Sequence, residues 1–416
     1  MSPTRIARLG RGTAIALASL VTMLAPSAAT VPSRTALYAG MGEELIAFGL
    51  DVEGATLFRQ SSVMLPGFVQ EAWASARAPT LYVAWSNGGA SYNGSGVESR
   101  GDRHGITAFR IDADGALHQQ GPLAALRARP IHITGDGPER HLLVAYNDPS
   151  GLSVHAINAD GSVGGEVSQR TPIDPGVYAH QVRVLPSNRA VVVATRGNEP
   201  TASSREDPGA LKVFRYNAGM LSNEISIAPQ NGVGYRARHL DFHPTCPWMF
   251  LSLESQNQLQ VYRRTDEGLE PTPLFSVSTL ADGAKNTQGQ TTSTVHVHPN
   301  GQFVYVGNRG TPSIGPRNEI AVFRINESTG EPTLIQNADT RGFTPRTFSL
   351  DAAGRLLVVG NQSTVTVREG NTTTEVAANL AVFRIASDGT LTFVQRHDIA
   401  VGRKPLWWMG IVAIQP

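Results

Sequence analysis

One pattern returns seven times along this chain, and any fold proposed for it must account for the recurrence. The copies read "ELIAFGLDVEG" from 44, "GITAFRIDADGAL" from 105, "LSVHAINADGSV" from 152, "ALKVFRYNAGML" from 210, "QLQVYRRTDEGL" from 258, "EIAVFRINESTG" from 319 and "NLAVFRIASDGTL" from 379. Each alternates as a strand does and ends in a polar turn containing glycine. Phe48, Phe109, His155, Phe214, Tyr262, Phe323 and Phe383 occupy the matching position.

A second motif precedes six of the copies: a short strand, a turn, then a strongly apolar strand, as in "PRTFSLDAAGRLLVVGNQ" over 345–362. Its relatives are "PIHITGDGPERHLLVAYN", "AHQVRVLPSNRAVVVATR", "ARHLDFHPTCPWMFLSLE", "HVHPNGQFVYVGNRG" and a degenerate "EAWASARAPTLYVAWSN". The first copy has only the second strand, "TALYAG", while an unmatched first strand, "KPLWWMGIV", stands near the C-terminus. These features predict an all-β fold, a seven-bladed β-propeller whose first blade combines both ends of the chain, so that the ring closes without an unpaired inner edge. The 42 glycines and 26 prolines suit a chain of many strands and turns.

Residues 1–29 have the form of a signal peptide: Arg5, Arg8 and Arg11 precede the 13-residue stretch "TAIALASLVTMLA", and "PSAA" offers a cleavage point after Ala29. The stretch is shorter than the roughly 20 residues that span a bilayer. A periplasmic or secreted protein follows, without membrane attachment after cleavage, its domain running over 30–416. With Cys246 as the single cysteine, no intramolecular disulfide can hold it. A net charge of +1, with no block of like charges, argues against nucleic acid as a partner. A monomer is expected.

The repeats also locate a site. The residue starting the first strand and the one ending the second stand 16 positions apart in four copies: His180 and Arg196, Arg238 and Glu254, Ser293 and Arg309, Arg346 and Gln362. In an antiparallel pair the start of one strand lies beside the end of the other. Both positions therefore open on one face of the disc, at one mouth of the channel that the first strands line. Asn87 and Asn147 fill the second position in blades 2 and 3. Four arginines with a histidine and a glutamate in a confined mouth suit an anion, since guanidinium forks pair with carboxylate or phosphate. His296 and His298 share a strand face, but no third ligand stands at a supporting spacing. His298 aligns with His243 and Asp351 as a hairpin cap. No metal and no cofactor are expected. Long polar insertions between second and third strands, such as "GNEPTASSREDPG" and "STVTVREGNTTTEVAA", fall on the same face, where they could wall the mouth.

"ARHLDFHP" with Glu254, "NRG", "TPRTFSLDAAGRLLVVGNQ" and "GRKPLWW" resemble the lactonase family of seven-bladed propellers, of the 6-phosphogluconolactonase and carboxy-muconate lactonizing type. The resemblance spans about Ala36 to Val412. It implies a metal-independent catalytic set of His180, Arg238, Glu254 and Arg309; Arg196, Arg346, Gln362 and Asn147, which the spacing brings to the same mouth, are expected to bind substrate. Ala237 replaces the proline usual before Arg238, and Leu253 the asparagine usual before Glu254. The expected activity is hydrolysis of a small anionic sugar lactone, with Glu254 or His180 as general base. Two other readings use the same residues or fold: a carboxy-muconate-type cycloisomerase, and a non-catalytic exported propeller that binds a ligand.

Overall fold

Successive side chains of a strand point to opposite faces, so a strand apolar at nearly every position must be covered on both. The second strands of the repeats are of this kind: Thr80–Ser86, Ala190–Thr195, Trp248–Leu253 and Leu356–Asn361 are buried from end to end. The computed structural model, which describes Met1 and residues 34–88, 100–281, 289–310, 318–400, 402 and 404–414, shows how that cover is supplied. Seven antiparallel sheets of four or five strands form the blades, and one further hairpin, Val365–Glu369 with Thr372–Val376, is built from the "STVTVREGNTTTEVAA" insertion. The leader expected over 1–29 falls almost wholly outside the described residues, as do residues 89–99 and 311–317 of the two further polar insertions between second and third strands, "GGASYNGSGVESRGDRH" and "GTPSIGPRN".

Seven apolar clusters lie between the seven sheets, one at each junction of neighbouring blades. In Thr35–Met41, Leu37 and Ala39 face blade 7, while Ala36 and Tyr38 face blade 2. The repeated aromatic of the third strand faces the preceding blade: Phe323 packs on blade 5 with Phe250, and Phe383 on blade 6 with Tyr305. His155, the exception in kind, is buried beside Ser153, whose hydroxyl lies 3.0 Å from its Nε2.

The ring closes where both chain ends meet in one blade. Thr35–Met41 pairs on one side with Glu44–Asp51 and on the other with Leu406–Ala413, in the order expected from the split repeat. The turn histidines stitch the blades on the opposite face: His243 Nε2 donates to Gly301 O at 2.9 Å, and His298 Nε2 to Gly354 O at 2.8 Å. Their Nδ1 atoms accept turn N–H groups of Cys246 and Asn300, which fixes the tautomer. His298 is thus a hairpin cap that also binds the next blade.

A feature of the inner strands has no mark in the residue pattern. Each gains one residue over its partner near its start. Ala179 pairs with Thr195 but Gln181 with Ala194, and Ala237 pairs with Leu253 but His239 with Ser252. The same shift occurs at Pro345/Thr347, Val69/Glu71 and Thr292/Val295, between His132 and Pro130, and between Trp408 and Leu406. A β-bulge re-aims the side chain that it leaves unpaired. Around the ring the bulged residues are Trp407, Gln70, Ile131, His180, Arg238, Ser293 with Thr294, and Arg346.

Candidate active site

Three of the bulged residues, His180, Arg238 and Arg346, bring the chemistry to one mouth of the channel. Their partners arrive from the ends of the second strands, Arg196 and Glu254 just beyond them and Arg309 as the last residue. The Arg196 N–H donates to Tyr178 O at 2.9 Å, the Glu254 N–H to Arg236 O at 2.8 Å, and Arg309 pairs with Thr291. The extra residue therefore displaces the expected cross-strand pairing, and Arg196 stands opposite Tyr178 rather than His180. Both sets of residues still open on the same face. The backbone is held in the left-handed region two residues before His180 and two before Arg346, at Tyr178 (φ 57°) and Thr344 (φ 56°). Such conformations cost of order 1–3 kcal/mol and persist where the surroundings impose them.

Glu254 is the hub. One carboxylate oxygen meets Arg196 Nε; the other meets Arg309 Nη2 and lies 3.5 Å from Arg238 Nε. Arg309 Nη2 also donates to Thr292 O at 2.8 Å. Arg238 is 1% exposed and Glu254 8%. Arg346 lies flat on the Trp407 ring, 3.5 Å from its centroid, and no carboxylate among the described residues is within ion-pair distance of it. Arg196 stands 5.3 Å over Tyr178, whose ring stacks beside His180. The His180 ring in turn meets His239 edge-on at 5.1 Å.

Burial alone would raise the Glu254 carboxyl, but Arg196, Arg309 and Arg238 together hold it well below the usual carboxylate range. Burial, with Arg238 beside it, keeps the His180 imidazole well below its ordinary value, so it is neutral near pH 7. Burial and the neighbouring guanidiniums of Arg309 and Arg129 push Arg346 down to about 9, and Arg238 is depressed by burial and Arg309. Glu254, with the half-exposed Glu199 on Arg196, does not offset four guanidiniums in a largely buried site, and an added anion would relieve the excess.

His180, Arg196, Arg238, Glu254, Arg309 and Arg346 therefore meet, as the spacing predicts. Asn147 is buried nearby, lining a cleft of about 640 Å³ with Tyr178, Arg196 and Asn198, and neither side-chain amide atom has a partner among the described residues. Gln362 holds the equivalent place in blade 7, its N–H donating to the 343–344 carbonyls and its carbonyl accepting from Leu406, and its side chain makes no hydrogen bond to the arginines among the described residues. Asn87 binds the backbone of Asp102 and Arg103 and serves its own loop. Of the insertions expected to wall the mouth, 197–209 is fastened down: buried Arg236 binds Glu199, Glu206 and the Asp207 carbonyl. Among the described residues no group of three or more histidine, cysteine, aspartate or glutamate side chains is placed to hold a metal ion.

Sequence reasoning missed Tyr178, Trp407, His239 and Glu71. The first two flank motif residues that were read, and their aromatic character was a usable signal. Glu71 lies in the degenerate blade-2 repeat, where the alignment gave no register.

The family model described as Lactonase, 7-bladed beta-propeller matches residues 70–375. The chain belongs to this family and is an enzyme of lactonase type. It is 26% identical over 282 residues, 64% of its length and 73% of the relative's, to the 6-phosphogluconolactonase of Bacillus subtilis. It is also 26% identical to that of Serratia proteamaculans over 305 residues, 73% of its own length and 81% of the relative's. Among solved structures, the periplasmic gluconolactonase of Pseudomonas aeruginosa superposes with a TM-score of 0.67 at 19% identity, covering 92% of this chain and all of that one, a likeness of fold.

Proposed function

We propose that the chain hydrolyses a sugar-type lactone carrying a negatively charged group. The observation that supports this most is the gathering of guanidiniums at the mouth: Arg196, Arg238 and Arg309 converge on Glu254, with Glu199 reaching only Arg196 of the three, while Arg346 stacks on the Trp407 ring with no carboxylate at ion-pair distance among the described residues. The neighbours named 6-phosphogluconolactonase and gluconolactonase are in keeping with such a substrate.

In this reading Arg238 and Arg309 face the lactone carbonyl and stabilise the oxyanion as water adds, the step from which most of the acceleration comes. His180 is the general base. It is neutral, and its Nδ1 has no partner among the described residues, whereas Glu254 is ion-paired with three guanidiniums that hold its carboxyl well below the usual range and make it too weak a base for the task. Glu254 instead holds the arginines in register and balances part of their charge. Arg346 binds the anionic substituent, and Asn147 offers a donor and an acceptor to the sugar hydroxyls.

A phosphorylated and a neutral form of the same lactone separate these roles. Arg346→Met should raise KM for the phosphorylated lactone about tenfold or more and leave the neutral one within about twofold. Equal effects on both would remove Arg346 from anion binding. The leader-like sequence of residues 1–29 leads us to place the enzyme outside the cytoplasm; no helix among the described residues is long and apolar enough to cross a membrane.

A further inference from the structure

Behind the arginine cluster the channel narrows to a chamber of about 20 Å³, lined by His180, Arg238, His239, Arg346, Trp407 and Glu71 among others. That is room for about one water molecule. Beyond it the channel widens into a cavity of about 340 Å³, whose wall includes Glu71, His132, His239, Asp241 and His296. His296, about a third exposed, marks where this cavity meets solvent at the downstream end of the inner strands. Glu71 and His239 line both spaces, so the carboxyl of Glu71 sits at the junction between the site and the far half of the channel.

The bulge at Gln70 puts it there, as the bulges at His180 and Arg238 place those residues. One Glu71 oxygen accepts the Ala72 N–H at 3.3 Å, and the Trp408 indole N–H also donates to the carboxyl. The groups that line these spaces with it come from five other blades: Trp408 of blade 1, His132 of blade 3, His180 and Arg183 of blade 4, Arg238 and His239 of blade 5, and Arg346 of blade 7. Blade 6 faces this space with Thr294, and with His296 further down. Burial pushes the Glu71 carboxyl up to about 8, against the pull of these donors and guanidiniums. A group that titrates near the working pH both accepts and releases a proton readily.

Hydrolysis of a lactone near pH 7 releases a proton. The water oxygen bonds to the acyl carbon, the ring C–O bond breaks, and the departing oxygen keeps one of the two water protons. The other is left over once the product acid is ionised. A substrate seated on the arginines covers the open mouth, so the polar way out runs through the floor. We propose that Glu71 relays this proton, taking it from His180 through a water in the small chamber and passing it to the water of the larger cavity on the opposite face. This rests on the lactonase reading above.

Glu71→Gln keeps the size and removes the relay. In weak buffer kcat should fall about tenfold with KM unchanged, and a small buffer such as imidazole, able to enter the wide cavity, should restore it. The wild type should show no buffer dependence, and Glu71→Asp, which keeps a carboxyl, should lie between the two. A thermal melt matching the wild type shows that the variant is folded. A Glu71→Gln enzyme with wild-type kcat in weak buffer overturns the proposal, as does a loss of rate that buffer does not restore while Glu71→Asp is equally impaired. A wild-type chain that opens no lactone overturns the lactonase reading and the relay with it, an outcome distinct from either of these.

Discussion

Two residues of the mouth, Glu254 ionised and His180 neutral, owe their states to the same guanidiniums. Both are buried, and burial favours the neutral form of each. For Glu254 three guanidiniums outweigh it, while for His180 the positive neighbours act in the same direction as burial. The sign of the resulting pH dependence follows. His180 works as a neutral base and its folded value is depressed, so it stays neutral as pH falls through 6.5, where a free imidazole would gain a proton. kcat/KM should therefore remain level from about pH 7.5 to below 6.5 and fall only under more acid conditions. An acid limb centred on the ordinary histidine value would mean that His180 is not the base. The same residues show what a sequence conveys and what it hides. Arg238 and Arg309 stand in recognisable motifs, whereas Glu71 stands in "EAWASARAP", a repeat too degenerate to align, and its proximity to His180 arises only from a bulge.

Strands and turns were more legible than the details that bend them. Apolar alternation gave the second and third strands, and a strand covered on both faces reads as continuously apolar because two neighbouring blades cover it. The bulge, however, adds one residue without changing composition. Equal spacing of 16 between His180 and Arg196, or Arg238 and Glu254, was preserved while the cross-strand partner shifted. The turns carry a test of how blades are joined. Gly354 has φ +68°, and a Cβ there would fall 2.2 Å from His298 Nε2, the atom that donates to its carbonyl. Gly354→Ala should therefore both strain the turn and break the link between blades 6 and 7, at a cost of about 1–3 kcal/mol in urea unfolding. A change below about 0.5 kcal/mol would show that this histidine contact contributes little.

At the scale of the whole molecule, ring closure makes the site. Residues from blades 4, 5, 6 and 7 share one carboxylate or its surroundings, and they do so because every inner strand starts at the same face. The sevenfold count and the split first blade were readable from the recurring motif, and so was the convergence at one mouth. The two-chambered channel beneath it was not, since a cavity is set by how seven strands tilt and bulge together. The account depends on a buried anion holding three guanidiniums around a lactone, and the most direct measurement is proton release on glucono-lactone and its 6-phosphate by the chain lacking residues 1–29, beside Glu254→Gln. Loss of one charge with shape preserved should lower kcat about 100- to 1,000-fold at an unchanged fold, as removal of a preorganised electrostatic partner does elsewhere. A folded Glu254→Gln enzyme that hydrolyses these lactones at the wild-type rate, or a wild type that hydrolyses neither, would contradict it.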